Sequence, residues 1–181
     1  MELGTLQVKV DKYNSIIENT IRYRKEWEDG TKQLIITTLE KLVAQTSLDA
    51  IIKTEEKLNN LETIIFTLGK EESGISEKFE EEQISRPLLK EKGVLVFQQL
   101  FNGKIIIWVG YPVIEGLNQP SPPKNLEIVR PEELKIGFIL RYVETFLQEI
   151  INWEDYDDDN PNHSKIGFQQ KLTLEGDPKN A

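Results

Sequence analysis

The chain has no cysteine and a single histidine, His163. Disulfides, thiolate zinc sites and cysteine nucleophiles are thereby excluded. No apolar run approaches the ~20 residues needed to cross a bilayer, and the opening MELGTLQVKV lacks the basic and apolar regions of an export signal. A cytoplasmic protein without a membrane partner is the expectation. Positive charge is also scarce, since 22 Lys and Arg stand against 31 Asp and Glu, for a formal net charge of −9. Non-specific nucleic-acid binding relies on basic side chains neutralising phosphates, so no nucleic-acid partner is expected. The densest basic cluster, Arg22, Arg24 and Lys25, is interleaved with Glu26 and Glu28 and reads as a solvated helix face. Nucleotide-binding glycine loops and the HExxH and GxSxG patterns are missing too.

What is present is a strong hairpin signal at 94–111, VLVFQQLFNGKIIIWVGY. Two β-branched and aromatic runs flank Asn102-Gly103, the pair that favours a two-residue type I′ turn because both central residues need positive φ. That turn pairs Phe97 with Trp108, Leu100 with Ile105 and Val96 with Val109. Alternation then sorts Val94, Val96, Gln98, Leu100, Ile105, Ile107, Val109 and Tyr111 onto one face. The other face carries Leu95, Phe97, Gln99, Phe101, Lys104, Ile106 and Trp108. Both faces are mainly apolar, which predicts a hairpin covered on both sides and paired at both edges.

Around this hairpin the periodicity predicts helices at both ends. In 7–28, Val10, Tyr13, Ile17, Thr20, Arg24 and Trp27 recur at spacings of three and four, broadened by Ile16 and Ile21. Asp29-Gly30 is the expected stop, and a second helix over about 31–46 turns Ile35, Leu39, Leu42 and Val43 inward, giving a helical hairpin. Residues 48–69 fit a helix or a strand hairpin turning at Asn59-Asn60. The run Thr63, Ile64, Ile65, Phe66, Thr67 favours strands. The acidic, glycine-punctuated 70–93 reads as a mobile connection. Prolines at 112, 120, 122 and 123 hold an extended segment that leads to a short strand at 126–129. Pro131-Glu132-Glu133 then opens a last helix running to about Trp153, with Ile136, Ile139, Leu140, Val143, Phe146, Leu147 and Ile150 as its stripe.

The predicted class is therefore α+β. An antiparallel sheet centred on the 94–111 hairpin is packed by an N-terminal helical hairpin and a long C-terminal helix, in a single domain over 1–153. An acidic tail, 154–181, follows, with a candidate edge strand at 165–174.

Chemistry-bearing patterns are few. Asp155, Asp157 and Asp159 match the first, third and fifth positions of a calcium loop, but Asn160 replaces the turn glycine and Ile166 the bidentate glutamate. His163 beside Ser164 lacks the scaffolded geometry of a triad. No catalytic residue, cofactor or metal is assigned. The candidate functional surface is an interaction face of Phe97, Gln99, Phe101, Ile106 and Trp108, because large apolar patches do not stay exposed and aromatics concentrate in interface cores. The expected function is a non-enzymatic interaction or scaffold protein, self-associating as a homo-oligomer or binding a protein partner. Two alternatives are a small-molecule-binding or hydrolytic protein with a pocket between the sheet and loop 112–125, and an acidic immunity-type inhibitor of a basic enzyme.

Overall fold

The computed structural model describes residues 3–79, 84–117 and 120–155. It begins with helix α1 (Gly4–Glu26), a π turn (Trp27–Thr31) and helix α2 (Lys32–Gln45). Strands β1 (Ile51–Glu55), β2 (Thr63–Thr67), β3 (Lys70–Phe79), β4 (Ile84–Glu91), β5 (Val94–Gln99), β6 (Ile105–Gly110), β7 (Val113–Ile114) and β8 (Lys124–Val129) follow. A 3-10 turn (Pro131–Glu133) leads into helix α3 (Ile136–Glu154). The class is α+β, with a five-stranded antiparallel sheet in the order β1-β2-β5-β6-β8 and a three-stranded sheet in the order β3-β4-β7.

The hairpin forms, but one residue away from the predicted register. Phe97 pairs with Ile107, Val96 with Trp108 and Leu95 with Val109. The loop holds three residues, 101–103, closed by Leu100 N–H donating to the Lys104 carbonyl at 2.7 Å and Gly103 N–H to the Leu100 carbonyl at 2.8 Å. Gly103 has φ +76° and Asn102 stays at negative φ. Asn102 Oδ1 instead accepts from the Lys104 N–H at 3.1 Å. This is the type I turn closed by a left-handed glycine, the next commonest hairpin after the two-residue kind.

The slip regroups the faces, because moving one strand by one residue exchanges its inner and outer side chains relative to its partner. Leu95, Phe97 and Gln99 now share a face with Ile105, Ile107 and Val109, and all six are buried. Ile64 and Phe66 of β2 extend that face, and α2 and α3 lie over it through Ile35, Leu39, Ile139, Val143 and Phe146. Phe66 meets Phe146 edge-on at 6.1 Å between ring centres, and Phe97 meets Tyr142 likewise at 6.1 Å, contacts worth about 0.5–1.5 kcal/mol each beyond simple burial. Tyr142 also donates its hydroxyl to Glu127 of β8 at 2.6 Å, which ties the helix to the sheet edge.

Three further expectations are corrected. Residues 70–93, read as a loop, contain β3 and β4. Together with β2 and β5 they form one long ribbon, bridged by the Lys92 N–H to the Gly69 carbonyl at 3.0 Å. Asp29-Gly30 does not end the first helix: the chain passes through the π turn into α2 with helical dihedrals at both junctions. With more than four residues per turn, a π turn keeps Trp27 and Thr31 nearly in phase, and both are buried in line with Ile35 and Leu39. Finally, Pro131 opens only a 3-10 turn, since Leu134 and Lys135 are extended before α3 begins. That break lets Leu134 drop into the core, where it is 2% exposed. The strands favoured within 48–69 are present as β1 and β2, with Asn60 in the left-handed region of the loop between them.

A polar node beside Trp27 also fastens the helices to the sheet. Trp27 Nε1 donates to Glu62 Oε2 at 3.0 Å, and Lys32 Nζ reaches the same oxygen at 2.8 Å and Glu56 at 2.6 Å. Burial alone would raise the Glu62 pKa, but the hydrogen bonds from Lys32 and Trp27 and the Lys32 charge hold it below its ordinary value of 4.5. A carboxylate with a depressed folded pKa contributes stability that is complete above 4.5 and fades as pH falls through the folded value. Urea unfolding of wild type and Glu62→Gln between pH 6 and pH 3 is expected to show a shallower acid loss in the variant. Parallel pH profiles would refute this role.

Candidate interaction surfaces

The structure divides the five residues predicted to form one surface. Phe97 is fully buried under the helices, and Gln99 lies beside it at the end of the same core face. Ile106 and Trp108 point to the opposite face of the sheet, opposite Gln98 and Val96 respectively. Phe101 is on neither face: it sits in the hairpin loop and is 75% exposed. Their grouping assumed the two-residue turn, and the three-residue loop undoes it.

The sheet face away from α2 and α3 carries Thr63, Ile65, Gln98, Ile106 and Trp108, all half-buried, with Val96 enclosed among them. Both helices pack on the other side, and among the described residues no helix packs over this face, which is half-buried except at the enclosed Val96. Trp108 leans along its strand over Gly110, where an added Cβ would fall 3.3 Å from the indole Cζ3 and 2.8 Å from Val94 Cγ2. The exposed charges of Lys53 and Glu55 on β1 rim this strip at one edge, as sheet edges commonly do to discourage unwanted pairing.

A second surface lies on α1. The C-terminal end of the helix is seated: Trp27 is buried, Tyr23 is 5% exposed, and Arg24 Nη2 donates to the Phe101 carbonyl at 2.8 Å. A Cβ on Gly103 would fall 2.8 Å from Tyr23 Cβ and 3.0 Å from the Thr20 carbonyl, so the hairpin loop fits against the helix only because that residue is glycine. Arg22 adds contacts to Glu26 at 3.3 Å and, across to the 3-10 turn, Glu132 at 3.4 Å. Among the described residues the N-terminal part has no such seat. Leu3, Leu6, Val10, Tyr13, Ile16, Ile17 and Ile21 are each between 41 and 64% exposed. The spacing from Val10 onward predicts one side of an amphipathic helix in a helical hairpin. Leu3 and Leu6 were missed, although they continue the same three-four spacing backward.

Of the calcium candidates, Asp155 is the exposed residue capping α3, while Asp157 and Asp159 lie outside the described residues. His163 and the candidate strand 165–174 also lie outside them. Among the described residues no cluster of three or more His, Asp or Glu could hold a metal ion, and no helix is long and apolar enough to cross a membrane. Compared with protein-family models, curated proteins and solved structures, the chain matches none of them.

The divided surface has measurable consequences. Gln99 is 1% exposed, and neither end of its amide has a hydrogen-bond partner among the described residues. Replacing a buried unsatisfied amide by an apolar group of similar shape removes a desolvation cost of about 1–3 kcal/mol. Gln99→Met is therefore expected to raise stability in urea unfolding, and a loss would show that the amide is satisfied in solution. Phe97→Ala should cost about 3–5 kcal/mol as a core truncation, whereas Phe101→Ala should stay within about 0.5 kcal/mol. Equal costs would contradict the observed register.

Proposed function

We propose that this protein acts by protein–protein contact, as a self-associating interaction or scaffold protein, and not by catalysis. The observation that carries this reading is the apolar stripe on the N-terminal part of α1, which no described part of the chain covers. Fully burying a Val, Leu or Ile side chain is worth about 1.5–3 kcal/mol, so the six half-exposed ones, with Tyr13 among them, leave roughly 5–10 kcal/mol per helix unrealised. Two such helices together offset an association cost of about 4–15 kcal/mol. Contiguous exposed apolar surface of this kind on a folded protein marks an interaction site.

The charge balance supports the same reading. At a net charge of −9, two copies meeting through their acidic surfaces would repel, which confines self-contact to a neutral patch and leaves the remaining acidic surface suited to a basic protein partner. The open sheet face with Ile106 and Trp108 is a second apolar area available for such a partner.

Light scattering coupled to size exclusion, run over a dilution series at moderate ionic strength, tests self-association. The expected mass exceeds one chain and falls toward it on dilution. A single-chain mass at every concentration would overturn the proposal.

A further inference from the structure

Building on the self-association just argued, we infer that α1 pairs with α1 of a second copy as a parallel, in-register, two-stranded coiled coil. The sequence carries the repeat: Leu3, Val10 and Ile17 stand seven residues apart, and Leu6, Tyr13 and Thr20 form the companion series three residues further on. These are the a and d positions of a heptad, and a seam recurring every 3.5 residues stays on one side of a helix only when it winds around another helix. Packing against the chain's own body would not require that regularity, and the body leaves residues 3–17 of the seam exposed.

The composition of the seam selects the partner, the stoichiometry and the orientation. β-branched residues at a with leucine at d favour two strands, the combination that Val10 and Ile17 at a make with Leu6 at d, the other d positions being Tyr13 and Thr20. Two isoleucines lie outside the seam, and both are exposed: Ile16 at g and Ile21 at e. In a parallel pair the g residue of one helix faces the e residue five positions later on the other, so Ile16 meets Ile21 of the second copy on each side of the seam. The polar residues Lys9 and Asn14 meet by the same rule. An antiparallel pair would set g against g and e against e and lose this match. Residues 3–21 carry Lys9 and Lys12 against Asp11 and Glu18, two of each sign, so the segment is neutral within a chain of net charge −9. A second copy of the same segment therefore approaches without repulsion there.

The body sets the lower limit of the pair. At Thr20 and Arg24 the helix is already in contact with the hairpin loop, through Gly103 and the Phe101 carbonyl. The seam thus covers about two heptads, a length that is marginal for a free peptide. Here the helix is continuous through the π turn with α2, which is packed on the sheet, so it is nucleated from the docked end.

The absence of cysteine makes the test direct. Wild-type protein should show the mass of two chains, and Val10→Glu, which places a carboxylate at the centre of the seam, should halve it. Ser15→Glu, on the outer side of the same helix, should not. Leu6→Cys should give a disulfide-linked dimer under mild oxidation, since d faces d in a parallel pair, whereas Ser15→Cys should remain unlinked. A wild-type mass of one chain would overturn both this pairing and self-association. A mass of two chains that survives Val10→Glu would overturn the pairing alone and assign self-association to another surface. Dissociation by Val10→Glu without a Leu6→Cys link would overturn the parallel register, and a wild-type mass of three or more chains would overturn the two-stranded assembly.

Discussion

The loop 101–103 is the constraint on which the rest of the structure depends. It sets how β5 and β6 are aligned, and in a sheet with one covered face the alignment decides which side chains are core. A two-residue turn at Asn102-Gly103 would have put Trp108 beside Phe97 under the helices and turned Ile105, Ile107 and Val109 outward. With three residues the small, closely packing Ile105, Ile107 and Val109 face α2 and α3, and the larger Trp108 lies over Gly110 on the open side. The same loop abuts α1, since Gly103 fits against Thr20, Tyr23 and Arg24 with no room for a side chain. Turn choice, sheet register and helix position are thus one decision.

The parts of the fold legible in the sequence are those whose burial is one-sided and whose signal is local. The hairpin, the strand at Thr63–Thr67, the strand after the proline run and the α3 positions Ile139, Val143, Phe146 and Ile150 had period and composition in agreement, whereas Ile136 and Leu140 of the predicted stripe are exposed. β3 and β4 were not legible because most of their described side chains are exposed, and a ribbon of that kind needs no hydrophobic alternation. Its pattern is in the charges. Lys70 faces Glu91, Glu71 faces Lys90 and Glu77 faces Arg86 across the ribbon, and Lys70 and Glu91 form an ion pair. Cross-strand opposite charges stabilise a ribbon by a few tenths of a kcal/mol to about 1 kcal/mol each, and they can be read only after the register is known. Lys90 anchors the base of the ribbon, reaching Glu154 of α3 at 2.6 Å from beneath Trp153.

For the interaction surface, composition identified the right hairpin and misgrouped its residues. Phe97, Gln99, Phe101, Ile106 and Trp108 belong together only under the two-residue turn; the observed register sends two to the core, two to the open face and one to the loop. The α1 stripe was visible from Val10 to Trp27, yet periodicity alone does not separate a helix face that meets its own body from one that meets another chain. The structure divides the stripe at about Thr20 into a seated part and an exposed part. Below it Tyr23 and Trp27 are buried, and above it every large apolar side chain of the stripe is exposed.

This division within one helix bears on what association would accomplish. A binding element joined through a flexible glycine-rich linker raises local concentration and leaves the orientation of its cargo free. Here no linker intervenes: α1 runs through the π turn into α2, Trp27 is locked to Glu62, and Gly103 is pressed against the helix backbone. Any partner held along residues 3–17 is therefore held at a defined angle to the sheet, and the open face bearing Ile106 and Trp108 is displayed in a fixed direction relative to it. A chain needing only to raise its own concentration would gain nothing from that rigidity. A scaffold that must present two surfaces in fixed relation depends on it, and the unbroken helix is the physical means.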